Sequence, residues 1–222
     1  SGTGAEVTWL LDLTDTEQKR KVGLGNRENA ADIAIVDPEM AKGMPPRLTA
    51  DTGMDALTHA VEGYTCNWHA DLTDGLCAKA ARQVFEYLPK AVADGSDMEA
   101  RERMHNAATC AGLGFGNSFA SLAHAAGHAL GAVFHIPHGR AVGLFLPYTI
   151  EFAAVTAPER YDELAVTLGF SNEMGGKAAS AMAQQVRSLS RKTGNPISVK
   201  EAGVARQDYE RQMDKLVDDA FN

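Results

Sequence analysis

Apolar and polar positions change their rhythm near residue 45. Before it the apolar runs are short and alternate with polar clusters; after it nearly every segment carries the 3.6-residue period of a helix. In the first part, Trp9–Leu13 (WLLDL) and Lys21–Gly25 (KVGLG) flank the polar Thr14–Arg20 and read as the two arms of a hairpin. Ala31–Val36 (ADIAIV), rich in β-branched residues and closed by Asp37-Pro38, reads as a strand. The second part predicts helices over Thr49–Tyr64, Ala70–Leu88, Asp97–Leu113, Ala120–Phe134, Gly139–Phe152, Pro158–Leu168, Gly176–Thr193 and Gln207–Ala220. Thr49 or Asp51 is available to cap the first of these. Ser96, with Glu99 three residues on, can form a capping box for the third. Pro89 is expected to end the second helix, and Pro147 to kink the fifth. The pattern describes a mainly α body behind a strand-bearing edge, with a boundary at Asp37–Pro46 dividing residues 1–45 from 46–222.

Composition narrows the classes. With 222 residues, 45% hydrophobic and 23% charged, the chain is ordinary globular material. A net charge of −8 argues against a nucleic-acid surface, which would be basic. Cys66, Cys77 and Cys110 are odd in number and unpaired in spacing, as expected of reduced core thiols in a cytoplasmic protein. The opening Ser1-Gly2-Thr3-Gly4 has no signal-peptide character, and Ala141–Val155, interrupted by Pro147 and Glu151, is too short and mixed to span a bilayer.

Candidate chemistry gathers in Ser121–Gly139 (SLAHAAGHALGAVFHIPHG), which holds His124, His128, His135 and His138. His124 and His128 lie one helical turn apart on one face. Ile136-Pro137 breaks the helix and returns His138 towards it. A helix with scattered polar positions is the plainer alternative, but clustered imidazoles on an apolar run are costly to bury without a partner. A second pair, Asp55 and His59, is likewise one turn apart among Met54, Leu57, Ala60 and Val61. Together with His124 and His138 it makes a set of one carboxylate and three imidazoles, suited to zinc or ferrous iron. Hydrogen bonding between Asp55 and His59 at a helix surface is the simpler reading of that pair taken alone. Glu102 and His105 have the Glu-x-x-His spacing of di-iron bundles. Only one such element is found, and its neighbours Arg101 and Arg103 read as solvated, so a charged helix face is favoured there. His69 reads as a surface residue; His135 fits a place beside the site or in solvent equally well.

Several of these segments, in this order, resemble the iron-containing (group III) alcohol dehydrogenases. They are Gly2–Thr8 (GTGAEVT), Ala31–Pro38, Met44-Pro45, Thr49–Tyr64 (TADTGMDALTHAVEGY), His124–Gly131 (HAAGHALG) and Ile136–Gly139 (IPHG). The resemblance runs from Ser1 to about Gly203. It implies a dehydroquinate-synthase-like fold, with a nucleotide-binding α/β domain, a helical metal-binding domain and an active site in the cleft between them. By position it makes Asp55, His59, His124 and His138 the metal ligands, and iron the metal, with zinc a frequent substitute. Spacing alone pairs His124 with His128. The resemblance instead places His128 against cofactor and substrate, relaying a proton. It puts Thr3, Thr8 and Lys21 on the dinucleotide, NAD or NADP, and Phe115 in the wall of the substrate pocket. It further implies reversible oxidation of an alcohol to an aldehyde or ketone, with homo-oligomers as the assembled form.

The family's glycine-rich phosphate loop has no counterpart here: there is no G-x-G-x-x-G and no Gly-Gly-Gly-Ser run. The expectation is therefore a metal domain carrying only the last part of a nucleotide domain, as in a truncated product. The alternative function is a catalytically inactive helical metal-binding remnant.

Overall fold

The computed structural model describes residues 3–18 and 20–221. A single 3-10 turn, Ala5–Val7, leads into β1 (Leu10–Asp15) and β2 (Arg20–Gly25), an antiparallel pair in which Leu10 faces Gly25 and Leu13 faces Val22. Two further 3-10 turns, Arg27–Asn29 and Pro38–Ala41, follow. Nine helices complete the described residues: α1 (Pro46–Thr65), α2 (Asp71–Ala93), α3 (Met98–Phe115), α4 (Leu122–Phe134), α5 (His138–Ala153), α6 (Pro158–Thr167), α7 (Lys177–Thr193), α8 (Arg206–Arg211) and α9 (Met213–Phe221). None of the described helices is long and apolar enough to cross a membrane.

Helix α1 is the axis of the body. Every residue from Thr49 to Tyr64 except Thr52 is buried, so the helix is enclosed on all sides, with α2, α3 and α5 packed against it. Its apolar residues Met54, Leu57 and Val61 join Val84 and Leu88 of α2 and Met182 and Val186 of α7 in one core. The approach of α5 is close because it carries glycine where the helices touch. A Cβ on Gly143 would stand 2.8 Å from Met54 Cβ.

A two-stranded ribbon is marginal by itself, and this one is held from its base. Trp9 donates its indole N–H to the carbonyl of Gly116 at 2.8 Å. Just before it, Gly4 takes a left-handed conformation (φ 79°) and lies against Ala108 and Gly112 of α3. These contacts anchor the base of the ribbon to α3, and β2 packs against α4.

Several expectations are corrected. Ala31–Val36 forms no strand: the segment is irregular, Ile33 and Ile35 are 81% and 87% exposed, and no described strand lies beside it to pair with. Helix α2 runs through Pro89 instead of ending there, since the proline loses one backbone bond while Leu88 and Ala91 stay anchored in the core. Thr49 and Asp51 lie inside α1 rather than capping it. Asp97, not Ser96, caps α3 by accepting the Ala100 N–H. Gln207–Ala220 divides into α8 and α9 at Gln212. Arg101 is 3% exposed and donates to Thr49 Oγ1, Met44 O and Gly95 O, clamping the approach to α1.

Candidate metal centre

Asp55 and His59 project from the middle of α1, His124 from the first turn of α4, and His138 from the first residue of α5. The turn that joins α4 to α5 depends on His135, which ends α4 in the left-handed region (φ 55°) with its own side chain in solvent. Pro137 then fixes the entry to α5. This bend carries His138 back over α1.

The four side chains converge. Asp55 Oδ1 lies 3.1 Å from His138 Nε2, 3.7 Å from His124 Nε2 and 3.9 Å from His59 Nε2. One ligand atom from each of the four falls within 4.8 Å of the others. Asp55, His59 and His124 are buried, and His138 is partly open. Asp55 Oδ1 and His124 Nε2 are both buried without a hydrogen-bond partner. Orphaned buried polar atoms are rare in folded proteins and call for an occupant. One hard oxygen and three imidazole nitrogens around a common point suit a first-row divalent cation.

The electrostatics are shared across the cluster. Burial works to raise the Asp55 pKa, but His59, His124 and His138 together hold it well below the ordinary carboxylate range. Burial pushes His59 down to about 4, with Asp55 opposing, so its ring is neutral near pH 7. His124 is also disfavoured as a cation by burial, yet Glu62 and Asp55 override this and push it up to about 10.

Around the cluster is a cavity of about 350 Å³, lined by Thr3, Thr8, Leu10, Asp12, Phe115 and His128 among others. Phe115 stacks face to face on His59, centroids 3.9 Å apart and planes 3° apart; His59 in turn stacks on His124 at 4.6 Å. Burial holds His128 down to about 3, against the pull of Asp12, whose Oδ2 is 3.5 Å from Nε2. Lys21 places Nζ 3.3 Å from His138 Nδ1, at the edge of the same site. The nine residues that the resemblance picked out, Asp55, His59, His124, His138, His128, Phe115, Thr3, Thr8 and Lys21, therefore meet in this cavity or at its edge. Glu102 is not among the metal-capable groups, and His105 lies with Met44 and Arg101 in a separate small cavity. His69 sits outside the site, on Asp74 at 3.2 Å.

Two residues were missed. Glu62, 3% exposed, sits on α1 one turn after His59 and 2.6 Å from His124 Nδ1. Its spacing, i+7 from Asp55 and i+3 from His59, was a usable signal. Asp12 lies on the ribbon, and nothing in its local sequence points to His128.

A family model described as "Fe-containing alcohol dehydrogenase family, C-terminal" matches residues 49–222. The chain belongs to the Fe-containing alcohol dehydrogenase family. It is 39% identical over 221 residues to the NADPH-dependent butanol dehydrogenase of Clostridium saccharobutylicum, covering 100% of this chain and 56% of that one. It is also 39% identical to the 1-propanol dehydrogenase of Salmonella typhimurium, covering 100% and 61%. The structure of sulfoacetaldehyde reductase from Bifidobacterium kashiwanohense, in complex with NAD+, superposes with a TM-score of 0.87 at 34% identity, covering 99% of this chain and 56% of that one. The chain thus spans between half and two thirds of the length of these three relatives, and about a quarter of the bifunctional aldehyde-alcohol dehydrogenase of Escherichia coli that it also matches at 37% identity.

Proposed function

We propose that the chain carries the metal centre of an alcohol dehydrogenase that interconverts an alcohol with its aldehyde or ketone, using NAD(P). In this reading residues 46–222 are the metal-binding domain, and residues 1–45 belong to the edge of a nucleotide-binding α/β domain. The observation that carries it is the meeting of Asp55, His59, His124 and His138 around buried atoms that lack partners. The cation would be divalent iron, with zinc as its substitute. When bound it supplies a Lewis acid that polarises the substrate oxygen, while hydride chemistry belongs to the nicotinamide.

The chain's own residues do the rest. Asp55 supplies a carboxylate oxygen, and the three imidazoles supply nitrogen donors, which bind a cation only through an unprotonated nitrogen. His128, held neutral by burial, accepts the alcohol proton at Nε2. Asp12, facing that atom and half open to solvent, receives it. Phe115 and Leu10 form an apolar wall that orients the carbon skeleton and excludes water. Thr3, Thr8 and Lys21 lie where a dinucleotide would approach. The relatives' names include both NADPH and NAD+.

The test is metal analysis of purified protein with Asp55, His59, His124 and His138 singly replaced by alanine. Each replacement is expected to lower metal content; unchanged content in every variant would end the proposal. Titration with NADH, followed by fluorescence, separates a catalytic unit from a helical remnant that binds metal only.

A further inference from the structure

We propose that Glu62 is a positioning residue of the metal centre. It fixes the proton of His124 on Nδ1, so that Nε2 is the nitrogen turned to the cation. The inference rests on the metal reading above and extends it beyond the four ligands.

The argument is a count of donors. Glu62 Oε1 accepts the Ser121 hydroxyl at 2.9 Å and the Ala123 N–H at 2.6 Å. Glu62 Oε2 accepts the Ser121 N–H at 3.0 Å and faces His124 Nδ1 at 2.6 Å. Both carboxylate oxygens are thus already acceptors of Ser121 and Ala123 hydrogens. An ionised carboxylate only accepts hydrogen bonds. At 2.6 Å the imidazole nitrogen has to be the donor, so the Nδ1 position carries the hydrogen.

The same contacts set the ring's position. Ser121 precedes α4 but its side chain does not cap the helix. The orphan N–H groups at that end are met instead by a carboxylate from α1, which also complements the positive end of the helix. Glu62 therefore locks the start of α4, and with it the His124 backbone, to the helix that already bears Asp55 and His59. Three of the four ligands then take their placement from α1, two directly and one through Glu62. A carboxylate behind a ligating imidazole also raises the basicity of the nitrogen on the far side.

Glu62→Gln cannot reproduce this arrangement. With its oxygen towards His124, the amide NH2 meets the Ala123 N–H. With its oxygen towards Ala123, the NH2 donates to Nδ1 and drives the ring proton to Nε2. The experiment measures Zn2+ affinity and the visible absorption of the Co2+-loaded chain, for Glu62→Gln and His124→Ala alone and combined.

The expected result is a loss of about 10–100-fold in Zn2+ affinity for Glu62→Gln and a changed Co2+ band. The double variant should be no weaker than His124→Ala alone, because the effect passes through that ring. Zn2+ affinity within about threefold of the parent with an unchanged Co2+ spectrum would overturn the proposal, as would an equal loss in the His124→Ala background. If Glu62→Gln does not fold, nitrogen NMR of the zinc-loaded parent decides: a hydrogen on His124 Nε2 refutes the assignment, and one on Nδ1 upholds it. If none of the four ligand-to-alanine variants loses metal, the metal reading itself falls. If they do and Glu62→Gln does not, only the role of Glu62 falls.

Discussion

Replacing Gly139 by alanine should damage the fold and the metal centre together. Gly139 follows His138 on α5 and rests against α1. A Cβ there would stand 2.8 Å from the Asp51 carbonyl carbon and 2.9 Å from Asp55 Cβ, and closer still to the Asp51 carbonyl oxygen. Carbon atoms pack best at about 3.5–4.0 Å, so α5 has to retreat by at least ~0.6 Å. The obstacle is helix backbone, which cannot rotate aside as a side chain would. Arg140 resists the retreat, holding Asp51 with two hydrogen bonds of 3.0 and 2.7 Å. Overpacking of this kind costs about 3 kcal/mol, the upper end of its usual range. For a chain of this size that is a fall in melting temperature of about 6–12 °C. His138 moves with α5, and ligand geometry tolerates only about 0.5 Å of error, so metal content falls as well. The assay is thermal unfolding by circular dichroism, with metal analysis of the same samples. Gly75→Ala is the control, because nothing lies within 4 Å of a Cβ there; in the exposed first turns of α2 it should be neutral or gain up to about 1 kcal/mol. A Gly139→Ala protein that melts within about 2 °C of the parent and keeps its metal would refute the reasoning.

Other outcomes follow from the same structure. Asp162 is fully buried and accepts the N–H groups of Gly176 at 2.7 Å and Ala179 at 2.8 Å, so Asp162→Ala should cost about 1–3 kcal/mol in chemical denaturation. Burial raises the Cys77 thiol to about 12, so iodoacetamide at pH 8 should leave Cys77 unlabelled in the native protein and label it after denaturation, as mass spectrometry of peptides would show. Arg187 holds Glu151 below its ordinary pKa of 4.5. That pair's contribution should be whole above pH 4.5 and fade as the pH falls through the lowered value. A double-mutant cycle on Glu151 and Arg187 should read below about 1 kcal/mol near pH 7 and nothing in strong acid, because both groups are partly exposed.

The helices were legible because their signals are local. The period of Thr49–Tyr64 and the break at Ile136-Pro137 needed no knowledge of the rest of the chain, and they place Asp55 beside His59 and turn His138 back; spacing alone paired His124 with His128, and the family resemblance set His128 apart from the ligands. What sequence hid was long-range. Arg101 looks solvated beside Glu102 and Arg103, yet it is buried because Met44, Gly95 and Thr49 are brought to it by the fold. Ala31–Val36 has the composition of a strand, but strand structure needs a neighbour, and the described residues give it none. Asp12 meets His128 because Trp9 and Gly4 anchor the base of the ribbon to α3 while β2 packs on α4. Pro89, inside α2 with Leu88 and Ala91 buried on either side, shows packing outweighing a local rule.

The ring of Phe115 lies flat on His59 while its edge borders the cavity. Enlarging the pocket by trimming this one residue would therefore also unprop an imidazole. Under the function proposed above, selectivity and metal retention would not drift independently, and a lineage adapting to bulkier substrates would find its easier path at Leu10, which borders the same space without bracing a donor.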